Sequence, residues 1–329
     1  MKVLRRKSIE YMPLLLKVFV MILILLSGII TGASMLAAED IYSFIKSADV
    51  KQFDEVINGF KESYPEASIR ILDLERKQDP GTVGAFISSN NPAAIICLGA
   101  GAAITASSIE KSRPIIFSMV LNYQRYKQLK QSNVTGIAME VMPATLFTQF
   151  RLLYPGLNSI GVPYHPDVSM EIVRDAISAS KLLNLKIIPV EISNPDEMEK
   201  KLKENNAKFN GLWMIADFKL YNKKTRAMET LIKFSRDNKK PLLAFSEPFI
   251  KAGAFFSVST DNRSLGSQIA LICRQIVHDK TSPSSIPVAP PIGTFTAINK
   301  NTAKEILGDK IDESIFFQVD KVYPAEEGE

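Results

Sequence analysis

From Ile41 onward the chain alternates short apolar runs with longer segments in which apolar residues recur at helical spacing. The apolar runs, bounded by turn-forming residues, predict strands at residues 41–45, 68–74, 93–98, 114–120, 134–141, 159–164, 185–192, 211–216, 241–245 and 254–258. The amphipathic segments predict helices at residues 50–60, 146–153, 170–183, 197–205, 227–234 and 265–277. Such alternation is typical of α/β proteins, in which mostly parallel sheets are covered by helices.

Residues 93–123 read as a strand, a small-residue turn, a short helix and a second strand. The turn opens directly into the helix, so the backbone N–H groups of Gly99, Ala100, Gly101, Ala102 and Ala103 face the carboxyl end of the first strand. We call these five residues the glycine turn. Open α/β sheets bind their ligands at this kind of position, and a helix N-terminus favours anions.

Polar and aromatic residues also follow the other predicted strands. Because the carboxyl ends of parallel strands meet at one edge of a sheet, these residues are expected to gather where a small solute could be held. They are Asn122 and Tyr123, Tyr164 to Asp167 with His165 among them, Asp217, and Ser246 with Glu247. Each taken alone is also a reasonable helix cap or loop residue, as Asp167 and Ser246 illustrate.

The first 38 residues have the layout of a secretory signal peptide. Lys2 and the basic cluster at residues 5–7 precede an uninterrupted apolar run at residues 18–30, which small residues follow up to Ala38. Removal after Ala38 and retention as an N-terminal anchor both remain open. In either case the body of the protein is predicted to be periplasmic or otherwise extracytoplasmic, and the N-terminal segment is expected to engage the membrane during export.

The charge of the chain comes mostly from that segment. The formal net charge is +5, but five basic residues and one acidic residue precede position 39, which leaves about +1 for the remainder. Nucleic-acid binding therefore has no compositional support.

Residues that carry catalysis or bind metals are scarce. The chain has two histidines, His165 and His278, and two cysteines, Cys97 and Cys273. Both cysteines lie in apolar segments, which favours buried free thiols, with a single disulfide as the alternative. The sequence contains no nucleophile elbow and no phosphate-binding loop motif, and the glycine turn lacks the third glycine of a dinucleotide fingerprint. A binding protein without enzymatic activity, cofactor or metal is the prediction.

Several segments, in order along the chain, resemble the extracytoplasmic substrate-binding proteins of ABC transporters, specifically the group that binds tryptophan or other aromatic amino acids. The matching segments cover most of the chain from Ile41 to Tyr323: RPIIFSMVLNY, SNVTGIAME, LLYPGLNSIGVPYHP, GLWMIAD, KKPLLAFSE, GAFFSVSTDNRSLGSQIA and FTAINKNTAKEILGDKI.

The resemblance implies a type I periplasmic-binding fold, in which two α/β lobes joined by three crossings close on a solute. The crossings are expected near residues 156–158, 260–261 and 287–290. Lobe I would then comprise residues 39–157 and 261–288, and lobe II residues 158–260 and 289–329.

Carried onto this chain, the family's ligand contacts fall on both lobes. From lobe I they would come from the glycine turn and from Asn122 and Tyr123. From lobe II they would come from Tyr164, His165, Ser169, Asp217, Ser246 and Glu247. Asp217 would hold an ammonium or hydroxyl group, the N–H groups of the glycine turn an acid group, and Tyr123 or Tyr164 an apolar body.

Three positions depart from the family pattern. Ala100 stands where relatives often have threonine, Asn122-Tyr123 replaces Asp-Pro, and His165 lies in a shortened turn. The predicted function is solute capture for an ABC permease and ATPase, with an amino acid or a small aromatic or apolar acid as ligand. The alternative is a membrane-anchored sensory module of the same fold.

Overall fold

The computed structural model describes residues 40–308 and 311–324, so the predicted signal peptide lies outside the described residues. The strands are β1 (Ile41–Lys46), β2 (Ser68–Asp73), β3 (Ala94–Leu98), β4 (Ile115–Ser118), β5 (Val134–Gly136), β6 (Ser159–Tyr164), β7 (Lys186–Glu191), β8 (Gly211–Trp213), β9 (Leu242–Ala244), β10 (Phe256–Thr260), β11 (Thr294–Asn299) and β12 (Lys321–Tyr323). The α-helices are α1 (Lys51–Ser63), α2 (Pro80–Asn90), α3 (Ala100–Ile109), α4 (Pro143–Leu153), α5 (Pro166–Leu182), α6 (Met198–Asn205), α7 (Ala227–Asp237), α8 (Pro248–Lys251), α9 (Asn262–Val277) and α10 (Lys300–Leu307). Short 3-10 helices lie at Tyr123–Arg125, Lys127–Lys130, Pro195–Glu197, Asn206–Lys208, Pro283–Ser285 and Glu313–Phe317.

The strands form two sheets. The first has the order β2-β1-β3-β4-β5, and all its neighbouring strands are parallel. The second has the order β12-β11-β10-β9-β8-β6-β7, with one antiparallel pair, β10 with β11. Strands β3, β4 and β6 are buried along their whole length, which explains their nearly continuous apolar sequences. The α/β class with two mainly parallel, helix-flanked sheets is confirmed.

Each of the ten predicted strand runs overlaps one of β1 to β10, but β11 and β12 were not predicted. Strand β11 has threonine at two of its six positions and ends in asparagine, and β12 is three residues long, so neither has a clear apolar pattern. Helix α2 was also missed, because its glycines and serines give no amphipathic face. Its N-terminus does carry a recognisable signal, since the Asp79 side chain accepts from the N–H of Gly81 beside Pro80.

Helix α9 returns from the second sheet to pack closely on α1 beside the first sheet. The approach depends on glycine in both helices. A Cβ on Gly266 would lie 2.1 Å from the carbonyl oxygen of Val56, and one on Gly59 would lie 2.2 Å from that of Arg263. The chain thus leaves the second sheet after Thr260. On its way back it pairs through Ala289 with Ile137, which follows β5 of the first sheet. It then re-enters the second sheet at β11.

Helix α4 packs on the second sheet, not on the first. Phe147 and Phe150 share a hydrophobic cluster with Trp213 and Phe255 of that sheet's core. Helix α4 falls within the predicted first segment of lobe I, residues 39–157, and it buries its apolar face against the second sheet. The boundaries of the lobe assignment stay predictions.

Candidate ligand-binding cleft

A cavity of about 500 Å³ lies where strands of both sheets end. We call it the cleft cavity; its volume is within the usual range for small-molecule sites. Residues from the first sheet's side and residues from the second sheet's side both line it. The lining residues are Gln52, Met119, Leu121, Asn122, Tyr123, Gln124, Ala138, Met139, Glu140, Val141, Met142, Pro143, Leu146, Glu171, Ile172, Asp175, Trp213, Ile215, Ala216, Phe245, Ser246, Glu247, Pro248, Val258, Ser259, Thr260, Asn262 and Pro290.

The loop after β4 has an unusual backbone. Met119 has φ 58° and Asn122 has φ 48°, in the left-handed region that non-glycine residues seldom adopt. Met119 in particular lacks the short polar side chain that makes this conformation easy for asparagine. The turn brings Tyr123 back against Phe117 of β4, with ring centroids 5.3 Å apart, and leaves its remaining surface to line the cavity.

Side chains from the two sides of the cleft touch each other. The Asn122 amide donates to the carbonyl of Val168 on α5 at 3.2 Å. The guanidinium of Arg125 lies 4.8 Å from the ring centroid of Phe218, which follows β8. These contacts hold the loop after β4 against the elements of the second sheet.

The charged residues that line the cavity are all acidic: Glu140, Glu171, Asp175 and Glu247. Among the described lining residues there is no lysine, arginine or histidine. The cavity therefore offers negative charge to a ligand without a compensating positive side chain on its walls.

Glu140 is the most enclosed of these carboxylates. Burial raises its pKa, and hydrogen bonds from the backbone N–H groups of Asn122, Glu140 itself and Met139 oppose that effect only in part. No lysine or arginine in the described chain forms an ion pair with it. Backbone donors hold its carboxyl group, and no basic side chain of the described residues pairs with it.

Two of the other carboxylates have cationic partners. Glu171 pairs with Arg174 at 2.6 Å on the exposed side of α5. Glu247 accepts hydrogen bonds from Tyr323 and from Lys321, the latter at 3.2 Å. Burial pushes the pKa of Glu247 upward, but these hydrogen bonds and the lysine charge outweigh it, so the pKa is lowered.

Four of the predicted ligand-binding residues line the cavity: Asn122, Tyr123, Ser246 and Glu247. The structure therefore brings together predicted residues from the ends of β4 and β9, which lie in different sheets. Their contact with a solute stays a prediction.

The glycine turn does not line the cavity. Gly99 adopts φ 87° to start α3, and the hydroxyl of Ser47 lies directly over the helix N-terminus. It accepts from the N–H of Ala102 at 2.8 Å and donates to the carbonyl of Leu98 at 2.9 Å. The N–H of Ala103 bonds to the carbonyl of Gly99, and the Ala102 and Ala103 side chains are buried. Ala100 and Gly101 remain partly exposed outside the cavity wall.

Three of the remaining predicted residues, His165, Ser169 and Asp217, form a buried hydrogen-bond network. Asp217 is 2% exposed, and its Oδ2 accepts from the N–H of His165 and the hydroxyl of Ser169, both at 2.8 Å. Its Oδ1 accepts from the N–H groups of Lys219 and Leu220 at 3.0 and 3.1 Å. The structure does not bring Asp217 to the cavity, because donors of the chain itself occupy both of its oxygens.

Tyr164 and His165 are likewise engaged within the chain. Tyr164 lies in the core of the second sheet, where its hydroxyl donates to Glu191 at 3.2 Å. His165 caps α5, because its Nδ1 accepts from the N–H of Asp167 at 3.2 Å. Neither residue is among those that line the cavity.

Sequence reasoning missed Glu140 and Trp213 as cavity residues. Both lie in or next to apolar strand runs, which favour a place in the core. The signal that could have revealed Glu140 is an isolated acid in an otherwise apolar run, VTGIAMEV. Trp213 gives no such signal, and its position depends on an edge-to-face contact with Phe147 at 5.2 Å.

Other types of site find little support in the described residues. No group of three or more histidine, cysteine, aspartate or glutamate side chains lies together as a metal site would require. Cys97 and Cys273 are free and buried, and burial raises the pKa of both thiols. No helix in the described ranges is long and apolar enough to cross a membrane.

Two mainly parallel sheets, flanked by helices and meeting at a cavity beyond their strand ends, are the architecture of type I periplasmic-binding proteins. The family described as ABC transporter substrate binding protein matches residues 45–323. The chain belongs to this family, and its function is that of a substrate-binding protein.

Individual relatives are distant in sequence. A "Tyrosine-binding protein" of Clostridioides difficile (strain R20291) is 23% identical over 285 residues, which cover 84% of this chain and 80% of the relative. A ligand-free, open substrate-binding protein with adhesive properties from Clostridium difficile has a TM-score of 0.67 at 18% identity, covering 83% and 98% of the two chains. A domain from Streptococcus pneumonia in complex with L-Trp has a TM-score of 0.54 at 20% identity, covering 85% and 99%. At these identities the structural likeness shows the fold alone.

Proposed function

We propose that the chain captures a small solute with an aromatic or apolar body in the cleft cavity and delivers it to an ABC permease and ATPase. The main support for this proposal is the cavity itself. It has a volume of about 500 Å³, and Tyr123, Trp213 and Phe245 are among the residues that line it. The relatives support the size class of the ligand, since one is described as binding tyrosine and another as a complex with L-Trp.

The mechanism proposed is closure around the solute. Because the walls come from both sheets, a bound solute contacts both sides and favours the closed arrangement by its higher affinity for it. The hydrogen bond from the Asn122 amide to the Val168 carbonyl would also belong to the closed arrangement. The role is binding without chemical turnover.

The proposed location is extracytoplasmic. The family is one of solute capture for import, and residues 1–38 have the layout of a signal peptide. N-terminal sequencing of the exported protein tests this: a start at Glu39 supports a released carrier, whereas an intact N-terminus supports an anchored sensory module.

A thermal-shift screen against amino acids, aromatic solutes and sugars, followed by calorimetry, tests solute capture. A ligand at 100 times its Kd adds about 2.7 kcal/mol to the free energy of unfolding. For a solute found in this way, Tyr123→Ala should weaken binding at least tenfold. Tyr126→Ala is the matched control, because Tyr126 lies in the same loop and is not a lining residue. Equal loss in both variants, or none in either, would contradict the site.

A further inference from the structure

We propose that the cleft cavity selects an organic cation, a primary amine with an aromatic or apolar body and no carboxylate group. This inference rests on the proposed solute-capture function and names its ligand class. The observation behind it is the composition of the cavity walls, where every charged lining residue is acidic.

A ligand with a carboxylate group would find no basic side chain among the residues that line this cavity. The described walls contain four carboxylates and no basic side chain, so a ligand carboxylate would meet repulsion in a partly desolvated site. Arg125 is next to the lining residue Gln124, but its guanidinium stacks on Phe218 and bonds to the hydroxyl of Tyr126. An amino acid would place its ammonium favourably and its carboxylate unfavourably.

A helix N-terminus often holds an acid group, but the one at the glycine turn does not line this cavity. The glycine turn lies outside the cavity lining, and the Ser47 hydroxyl already accepts from the N–H of Ala102. A Cβ added at Gly99 would lie 2.7 Å from that hydroxyl oxygen, which shows how tightly Ser47 covers the turn. The N–H of Ala102 is therefore already bonded, and an acid group bound in the cavity would not meet the glycine turn.

Glu140 is the carboxylate suited to receive an ammonium. Glu171 and Glu247 already pair with Arg174 and Lys321, whereas the donors to Glu140 are backbone N–H groups. An ammonium at Glu140 would compensate the cost of desolvating that carboxylate with a charge-assisted hydrogen bond.

The remaining walls suit the rest of such a ligand. Aromatic rings attract cations over their faces, and Tyr123, Trp213 and Phe245 all line the cavity. Met119 and Met139 add polarizable sulfur that packs well against an aromatic body.

Four probes that share one hydrocarbon body separate the charge requirements: 2-phenylethylamine, L-phenylalanine, 3-phenylpropanoate and 2-phenylethanol. Calorimetry with the full exported protein at pH 7 should give the amine at least tenfold tighter binding than the other three. Glu140→Gln should weaken the amine at least tenfold and leave 2-phenylethanol unchanged. Glu199→Gln, which removes an exposed carboxylate that pairs with Lys203 and does not line the cavity, should change amine binding less than threefold. An unchanged melting temperature for each variant excludes misfolding.

The inference is overturned if L-phenylalanine or 3-phenylpropanoate binds as tightly as the amine, if Glu140→Gln leaves amine binding unchanged, or if none of the probes binds. Binding of amino acids or sugars in the broader solute screen would then leave the proposed capture function standing. Failure of the whole screen, by contrast, counts against the capture function itself.

Discussion

Asp217 and Glu140 are both carboxylates that follow a strand, each in a different sheet, but they differ in burial and in hydrogen-bond partners. Asp217, after β8, receives four hydrogen bonds from its own chain and is almost fully buried. Glu140, after β5, lines the cleft cavity, and its donors are backbone N–H groups beside it. The first is bonded on both oxygens within the chain, whereas the second faces the cavity.

The difference shows that position at a strand end does not decide the role of a charged residue. What decides it is whether donors from elsewhere in the fold reach the carboxylate. The Ser169 hydroxyl and the N–H of His165, at the start of α5, both donate to Oδ2 of Asp217. These two hydrogen bonds connect α5 to the loop after β8. Glu140 has no comparable partner among the described side chains.

The largest expected effect is on Asp217. Asp217→Asn replaces one carboxylate oxygen, which accepts hydrogen bonds, with an NH2 group, which donates them. This group would face N–H or O–H donors of the chain, so we expect a loss of about 3 kcal/mol in the free energy of unfolding. Urea unfolding measures it. Asp167→Asn is the matched control, because Asp167 is exposed on the same side and pairs with Lys219; its effect should be much smaller. Comparable losses in the two variants would remove the distinction between anchor and surface residue.

A smaller loss is expected when one donor to Asp217 is removed. Ser169→Ala deletes the hydroxyl that bonds to Oδ2 but leaves three backbone donors, so the expected cost is about 1 kcal/mol. The matched control is Ser178→Ala, an exposed serine of the same helix that bonds within the helix to Arg174. If the Ser169 variant is as stable as the control, the network around Asp217 is not an anchor.

Glu140→Gln should have the opposite sign. Because burial raises the pKa of Glu140, the folded state holds this proton more tightly than the unfolded state does, and wild-type stability falls as pH rises through that window. The variant lacks this loss, so at neutral pH its free energy of unfolding should exceed that of the wild type. Unfolding at a series of pH values measures the difference. Glu171, Asp175 and Glu247 also face the cavity and are the same in both proteins, so the comparison cancels their contributions. A variant less stable than wild type at neutral pH would contradict the expectation.

The smallest effect is expected at Glu171. This carboxylate is mostly exposed and pairs with Arg174, so Glu171→Gln should change the free energy of unfolding by no more than about 0.5 kcal/mol. The same unfolding series measures it. A larger change would show that this exposed carboxylate at the edge of the cavity contributes to the stability of the fold. It would then differ less from Asp217.

Part of the site could be predicted from local sequence. Asn122, Tyr123, Ser246 and Glu247 follow strands whose apolar patterns are clear, and all four line the cavity. Asp217 and His165 also follow clear strand patterns, but the structure does not bring them to the cavity. The difference lies in hydrogen bonds between residues about 50 positions apart, such as Ser169 to Asp217, which no local pattern encodes.

By itself the sequence determined the alternation of strands and helices, the class of the fold and the edges of the sheets where polar residues gather, because apolar periodicity and strand direction are local properties. The tertiary structure alone decided which of those residues face the cavity. The Ser47 hydroxyl reaches the glycine turn across about 50 residues, α5 brings donors to Asp217, and α4 packs on the second sheet. Whether a polar group is satisfied by its own chain or left for a ligand depends on such long-range contacts, which form only when the whole chain has folded.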